Sequence, residues 1–215
     1  MLINQYVLSK CQYIINSFNE QYGELKKSNN EMLKVIADNE YSEMDFQVRL
    51  FPYFEGAKYN VEDEKGKVND VYYPTLDYRA EVKLLRNYRC SSKNRTSSNS
   101  SSWKELRDDL HWLKREIANN KGKRVLIIGW FNVVERFSQV VQLGKGKGCK
   151  PDIDYRKLGY FPFLRSTGDK TFAIEYKYLE GEKPQSVDSL YSPISNVDCI
   201  FLGNKEDVFH IAIYY

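Results

Sequence analysis

The sequence predicts an α/β domain in which helices cover a mixed β-sheet, and three observations carry that prediction. A capped helical stretch near residue 42 is followed by three short runs of strand-forming residues separated by turns. A second helix with an apolar stripe comes next, and the apolar run VLIIGW at residues 125–130 follows it. Neighbouring elements usually pack together and a helix must bury its stripe, so this order implies a sheet flanked by helices. At 215 residues the chain has the length of one domain, taking about 150 residues for an average one. With 42% hydrophobic and 14% aromatic residues it has material for a core of its own.

Taken in order, Leu2, Tyr6, Ile14, Ile15 and Phe18 have helical spacing, and Glu31 to Ala37 reads as a second helical piece. Ser42 with Asp45 three positions on is a capping box, and Phe46, Leu50 and Tyr53 then share one helical face, with Pro52 limiting the last turn. Tyr59, Val61, Val68, Val71, Tyr72 and Tyr73 are strand-type residues around a polar turn at 64–67, which reads as a hairpin. A second turn, Pro74 to Asp77, leads into a strand over Tyr78 to Leu85. Cys90 to Ser102 is too polar to pack and reads as a loop; Ser102 and Glu105 then form a capping box before Trp103, Leu106, Leu110, Leu113 and Ile117. Asn119 to Gly122 ends that helix, and the following run suits a strand buried on both faces. Asn132 to Leu143 reads as helix, residues 144–157 as a glycine-rich basic connection, and Thr171 to Leu179, Asp198 to Leu202 and Val208 to Tyr214 as strands. The organisation expected is a helical extension over residues 1–40, a core over 41–144 and a β-rich part of the same domain over 145–215.

No stretch reaches the roughly 18 to 20 apolar residues of a membrane span, and Met1 to Lys10 lacks the pattern of a signal peptide. A cytoplasmic protein without a membrane partner is expected. Cys11, Cys90, Cys149 and Cys199 form no CxxC pair and read as free thiols. His111 and His210 are the sole histidines, too few for a histidine-rich zinc site, so carboxylate and lysine chemistry is the place to look. The net charge of +3 is too slight to indicate nucleic acid by itself.

Within the three-strand region, Asp70 and Glu81-Val82-Lys83 stand out. In a strand, Glu81 and Lys83 share a face, and a hairpin centred between Thr75 and Leu76 sets Asp70 opposite Glu81. Opposed residues on one face have Cβ atoms about 4.5 to 5.5 Å apart, close enough for two carboxylates to hold one divalent cation. Asp77, four residues from Glu81 along the strand, is about 13 Å away. A second pattern, Pro151-Asp152 with Glu175-Tyr176-Lys177, competes, but no persuasive helix follows it between Glu180 and Asn196.

Asp70 with Glu81-Val82-Lys83 resembles the D…(D/E)xK signature of the PD-(D/E)xK nuclease superfamily, and the element order over roughly Tyr41 to Asn132 is similar to the αβββαβ core of its restriction-endonuclease-like fold; Asn69 stands where the family often has Pro. The resemblance implies that fold with extra C-terminal strands, and a Mg²⁺- or Mn²⁺-dependent phosphodiester hydrolysis, most simply as a DNA endonuclease of restriction or defence type. It implies metal binding by Asp70 and Glu81 with the Val82 carbonyl, Lys83 as the group that orients the attacking water, and Glu43 as an additional acidic residue. Many restriction-type nucleases act as dimers, so a homodimer is among the assemblies it implies. Lys93 and Arg95 in the serine-rich segment and Lys145, Lys147 and Lys150 among glycines are candidates for phosphate contacts. Tyr160, Phe161, Phe163 and Arg165 are of the types that stack on or grip a strand, although aromatics usually build core. The alternative is a member of the same fold that binds nucleic acid or protein without cutting. A different α/β protein, in which Asp70, Glu81 and Lys83 merely form a strand's solvated face, is the plainer competitor.

Overall fold

The structure, a computed structural model, describes residues 3–51, 56–62, 66, 68–85, 95–119, 123–133, 153–167, 174–178, 185–186 and 197–215. Helices α1 (Ile3–Ser28), α2 (Asn30–Glu40) and α3 (Glu43–Leu50) come first, then strands β1 (Lys58–Glu62), β2 (Val68–Tyr73) and β3 (Tyr78–Leu85). Helix α4 (Arg95–Ala118) leads to β4 (Arg124–Phe131). The rest comprises α5 (Tyr155–Leu158), β5 (Leu164–Ser166), β6 (Ile174–Tyr176), β7 (Gln185–Ser186), β8 (Asp198–Leu202) and β9 (Phe209–Tyr214). Among the described residues, seven strands make one mixed sheet in the order β1-β2-β3-β4-β9-β8-β7, while β5 and β6 pair separately. The α/β class is therefore as expected.

The α3 cap has the form read from the sequence. Ser42 accepts from the Asp45 amide while the Asp45 carboxylate accepts from the Ser42 amide, so two orphan donors of the first turn are satisfied. Two helix boundaries differ from expectation. Helix α1 runs ten residues beyond Phe18, because Tyr22 and Leu25 continue its apolar stripe between good helix formers. Helix α4 starts at Arg95, so Ser102 is an interior residue and residues 95–102 are not loop. Once a packed stripe has nucleated a helix, each added serine or asparagine costs only about half a kcal/mol of propensity, and the helix grows backward through them. Of the helix expected at 132–143, Asn132 and Val133 are non-helical and the remainder lies outside the described residues, as do Pro52 and Tyr53.

The core has two parts, one on each face of the sheet. Val7, Ile14 and Phe18 of α1, Leu33 of α2, and Phe46 and Leu50 of α3 pack on Tyr78, Ala80, Val82, Val125, Ile127, Phe209 and Ile211. On the other face Leu106, Leu110 and Leu113 of α4 pack with Leu126, Ile128, Trp130, Ala212, Tyr214, Phe161 and Phe163. Each central strand thus sends alternate side chains to opposite layers, as its two-residue period requires. All eight residues of β4 are buried. It runs parallel to β3, with α4 as the crossover, and antiparallel to β9. Gly129 lets α3 approach: a Cβ there would lie 2.6 Å from a ring carbon of Phe46 and 2.7 Å from one of Phe209. Buried Cys11 and Cys199 are free thiols, as expected; Cys90 and Cys149 lie outside the described residues. No helix among the described residues is long and apolar enough to cross a membrane.

At the N-terminal end of the β3–β4 pair, Arg124 closes the sheet against α4. Its guanidinium meets Glu116 at 3.2 Å and Asp77 at 3.1 Å, and it donates to the Asp77 carbonyl at 2.6 Å. The Arg124 side chain is 3% exposed and multiply bonded, although Asp77 opens to solvent.

Candidate active site

The β2–β3 hairpin has the register expected from its turn. Val71 faces Ala80, Tyr72 faces Arg79 and Tyr73 faces Tyr78, all symmetric about the 75–76 junction. Pro74 to Leu76 form a single 3₁₀ turn, and Asp77 at φ 43° closes it in the left-handed region that Asp tolerates. The registered pairs end at Val71–Ala80, so Asp70 and Glu81 do not form the next rung as expected. Instead β2 continues beside β1, through Val61–Asn69 and Glu62–Val68, and the Asp70 carboxylate turns toward β3. Its Oδ2 accepts from the Val82 amide at 2.7 Å, in the place of a strand carbonyl. The cross-strand neighbour Asn60 has φ 52°, an interruption of β1 where β2 parts from β3.

The edge of β3 left by that parting receives a second carboxylate. Glu43, in the first turn of α3, accepts from the Leu84 amide through Oε2 at 3.3 Å. Amides of Val82 and Leu84, two residues apart, point to the same edge, and the Val82 carbonyl shares it. The expected carbonyl thus lies on the edge lined by Asp70 and Glu43. Phe46 and Leu50 bury the far side of α3 and so fix its N-terminus over this edge.

Glu81 and Lys83 project to the face covered by α4. Glu81 is 3% exposed. The Lys83 ammonium lies 3.4 Å from Glu43 Oε1 and 3.7 Å from Asp109 Oδ2. Burial alone opposes charging of Lys83, but the carboxylates of Glu43, Asp109, Asp70 and Glu81 outweigh it and hold the ammonium above the usual lysine range. Burial pushes the Glu43 carboxyl up; Lys83 opposes that shift and Asp70 adds to it. Among the described residues, one lysine therefore feels four carboxylates.

Asp109 was not singled out by the sequence pattern, yet a signal for it exists. It lies three residues after Leu106 and four before Leu113, so it interrupts the apolar stripe of α4. An acid in that position has to meet a cation on the sheet.

The remaining expected site residues divide into two groups. Lys93, Lys145, Lys147 and Lys150 lie outside the described residues; Arg95 begins α4, and its side chain is not described. In the C-terminal pattern Asp152 is also outside, while Glu175 lies in the separate β5–β6 pair, bound to Arg165, and Lys177 donates to the Pro162 carbonyl at 2.9 Å. Tyr160, Phe161 and Phe163 are core residues.

Hard carboxylate oxygens with a backbone carbonyl nearby are the donors that Mg²⁺ takes. Among the described residues no three Asp, Glu, His or Cys side chains converge on a common metal position. Mg²⁺ is commonly held by one or two carboxylates and its own waters rather than by a full protein cage. Comparison of the chain with protein-family models, curated proteins and solved structures returns no match.

Proposed function

We propose that this chain is a Mg²⁺-dependent nuclease of restriction-endonuclease-like fold that hydrolyses phosphodiester bonds, with DNA as its substrate and Mn²⁺ as an alternative ion. The observation that carries the reading is the parting of β2 from β3 at Asp70. It gathers Asp70, Glu43 and the Val82 backbone on one strand edge, while the same strand presents Glu81 and Lys83. The order α3, β1, β2, β3, α4, β4 supports it, since it is the αβββαβ order of the fold that the motif resembles. The preference for DNA rests on that resemblance alone.

Asp70 and Glu81 would hold the ion with the Val82 carbonyl, water filling its other positions, and Glu43 would act on it through its charge rather than as a third carboxylate ligand. A bound Mg²⁺ supplies neutralisation of charge on the phosphate and a water of lowered pKa. Lys83, kept charged by its neighbours, would orient that water and hold its developing hydroxide by hydrogen bonding, without taking a metal position. Glu43 and Asp109 restrict the ammonium to the end of β3, so that the attacking oxygen is fixed before the P–O bond breaks.

One observation favours a second reading, a non-catalytic member of the fold that binds nucleic acid or protein. Asp70 already accepts from the Val82 amide, which spends part of its capacity as a metal ligand. Cleavage of supercoiled plasmid and of a single-stranded oligonucleotide in Mg²⁺, Mn²⁺ or EDTA separates the two. Cutting that needs metal and falls at least about 10³-fold in both Glu81→Ala and Lys83→Ala supports the nuclease. Retention of nucleic-acid binding without hydrolysis supports the second reading, and cutting lost only in Glu175→Ala moves the site to the C-terminal pattern.

A further inference from the structure

We infer that Asp109 is a positioning residue for Lys83: its carboxylate, carried by α4, fixes from the helix side an ammonium that Glu43 fixes from α3. This inference rests on the nuclease reading and deepens it by adding a group outside the D…ExK motif.

Three observations carry it. Asp109 lies on the buried face of α4, between Leu106, Leu110 and Leu113, with its side chain only 13% exposed. A carboxylate there is costly unless it serves a cation, and Lys83 Nζ is 3.7 Å away. The ammonium is held by two acids at 3.4 and 3.7 Å, contacts longer than an ordinary charge-assisted bond of about 2.7 to 2.9 Å. Lys83 is thus confined without being consumed, and its three donors retain room for a third acceptor.

Lysine is the residue whose reach most needs such confinement. Its four-carbon stem carries about 2 kcal/mol of rotamer entropy, and a water-orienting group is useful only when its place is set before the reaction. Glu43 alone fixes the ammonium along the strand edge; Asp109, from the layer covering the opposite side of the sheet, sets its position across the strand.

The test compares Asp109→Asn, which keeps the shape and removes the charge, with Asp109→Glu, which keeps the charge. Steady-state cleavage in Mg²⁺ is measured per folded molecule, the folded fraction being taken from thermal unfolding. Asp109→Asn is expected to lower kcat about 10- to 100-fold with KM within about twofold, and Asp109→Glu to recover most of the loss. In a Lys83→Met background, Asp109→Asn is expected to add little, because the two residues act as a unit. Wild-type kcat in Asp109→Asn, or a loss that multiplies in full with that of Lys83→Met, overturns the assignment while the nuclease reading stands. Absence of cutting by the wild-type chain on every substrate overturns both.

Discussion

The two ends of the β3–β4 pair hold a cation in contrasting ways, Arg124 buried and Lys83 half-buried. At the N-terminal end Arg124 meets Glu116 and Asp77 at 3.2 and 3.1 Å and adds backbone carbonyls. At the other end Lys83 meets Glu43 and Asp109 at 3.4 and 3.7 Å, with Asp70 and Glu81 nearby. Both clusters draw an acid from the same face of α4, seven residues apart, so the helix and sheet are common to them. What differs is the cation and the length of its contacts. A planar guanidinium with its donors engaged locks two elements together, whereas an ammonium on longer contacts is confined more loosely. The comparison teaches that one helix and one strand pair can hold two cations with different tightness, by direct short bonds at one end and by longer contacts at the other.

The largest expected effect breaks the closed end. Arg124→Met leaves Glu116 buried without its cation and should cost about 3–5 kcal/mol in urea unfolding, with partial recovery on adding Glu116→Leu. Cleavage per folded molecule should stay near wild type. If it falls in step with stability, the two ends are not separable.

Next in size is the response of the open end to metal. Saturating Mg²⁺ should raise the calorimetric midpoint of the wild type, the stabilisation being on the order of 2–3 kcal/mol at a hundredfold excess over Kd. Glu81→Gln should lose most of that gain, while Arg124→Met keeps it. A rise that is equal in all three proteins would place the ion elsewhere.

Gly129→Ala tests how α3 brings Glu43 to the strand edge. The added methyl meets the Phe46 and Phe209 rings and should cost about 1–3 kcal/mol. Because it lifts α3, it should also lower cleavage per folded molecule, which distinguishes it from Arg124→Met.

The smallest effect is on stability at Glu43. Burial raises its folded pKa, so its contribution to stability is present below the ordinary carboxylate range and is lost as pH rises through the raised value. Without metal, Glu43→Gln should therefore melt slightly above wild type at neutral pH, and the difference should vanish in acid. A variant that melts lower at pH 7 would show that Glu43 supports the fold more than it strains it.

Much of this arrangement is legible in the sequence because it is local. The Ser42–Asp45 cap, the 74–77 turn and the alternation along Tyr78 to Leu85 each lie within a few residues, and together they set the register that brings Asp70 to β3. The last rung was not legible: alternation says that Asp70 and Glu81 share a register, but not that β2 leaves the ladder there with β1. The position of β9 beside β4 was equally hidden, since any apolar run pairs well with another and the choice is made across some eighty residues. Asp109 was concealed by the attention that an apolar stripe draws to its leucines. The start of α4 was misread because serine composition speaks for a loop, while helix growth from a packed stripe is nonlocal.

The carboxylates along β3 have a consequence for solubility. A strand edge that carries free amides is a template for another chain, and proteins guard such edges with charge. Asp70 and Glu43 occupy the amides of Val82 and Leu84, so an incoming strand meets two negative groups where it would need two carbonyls. Replacing both by alanine would uncover a short apolar edge in the middle of the sheet. Such a variant would be prone to self-association whatever its activity.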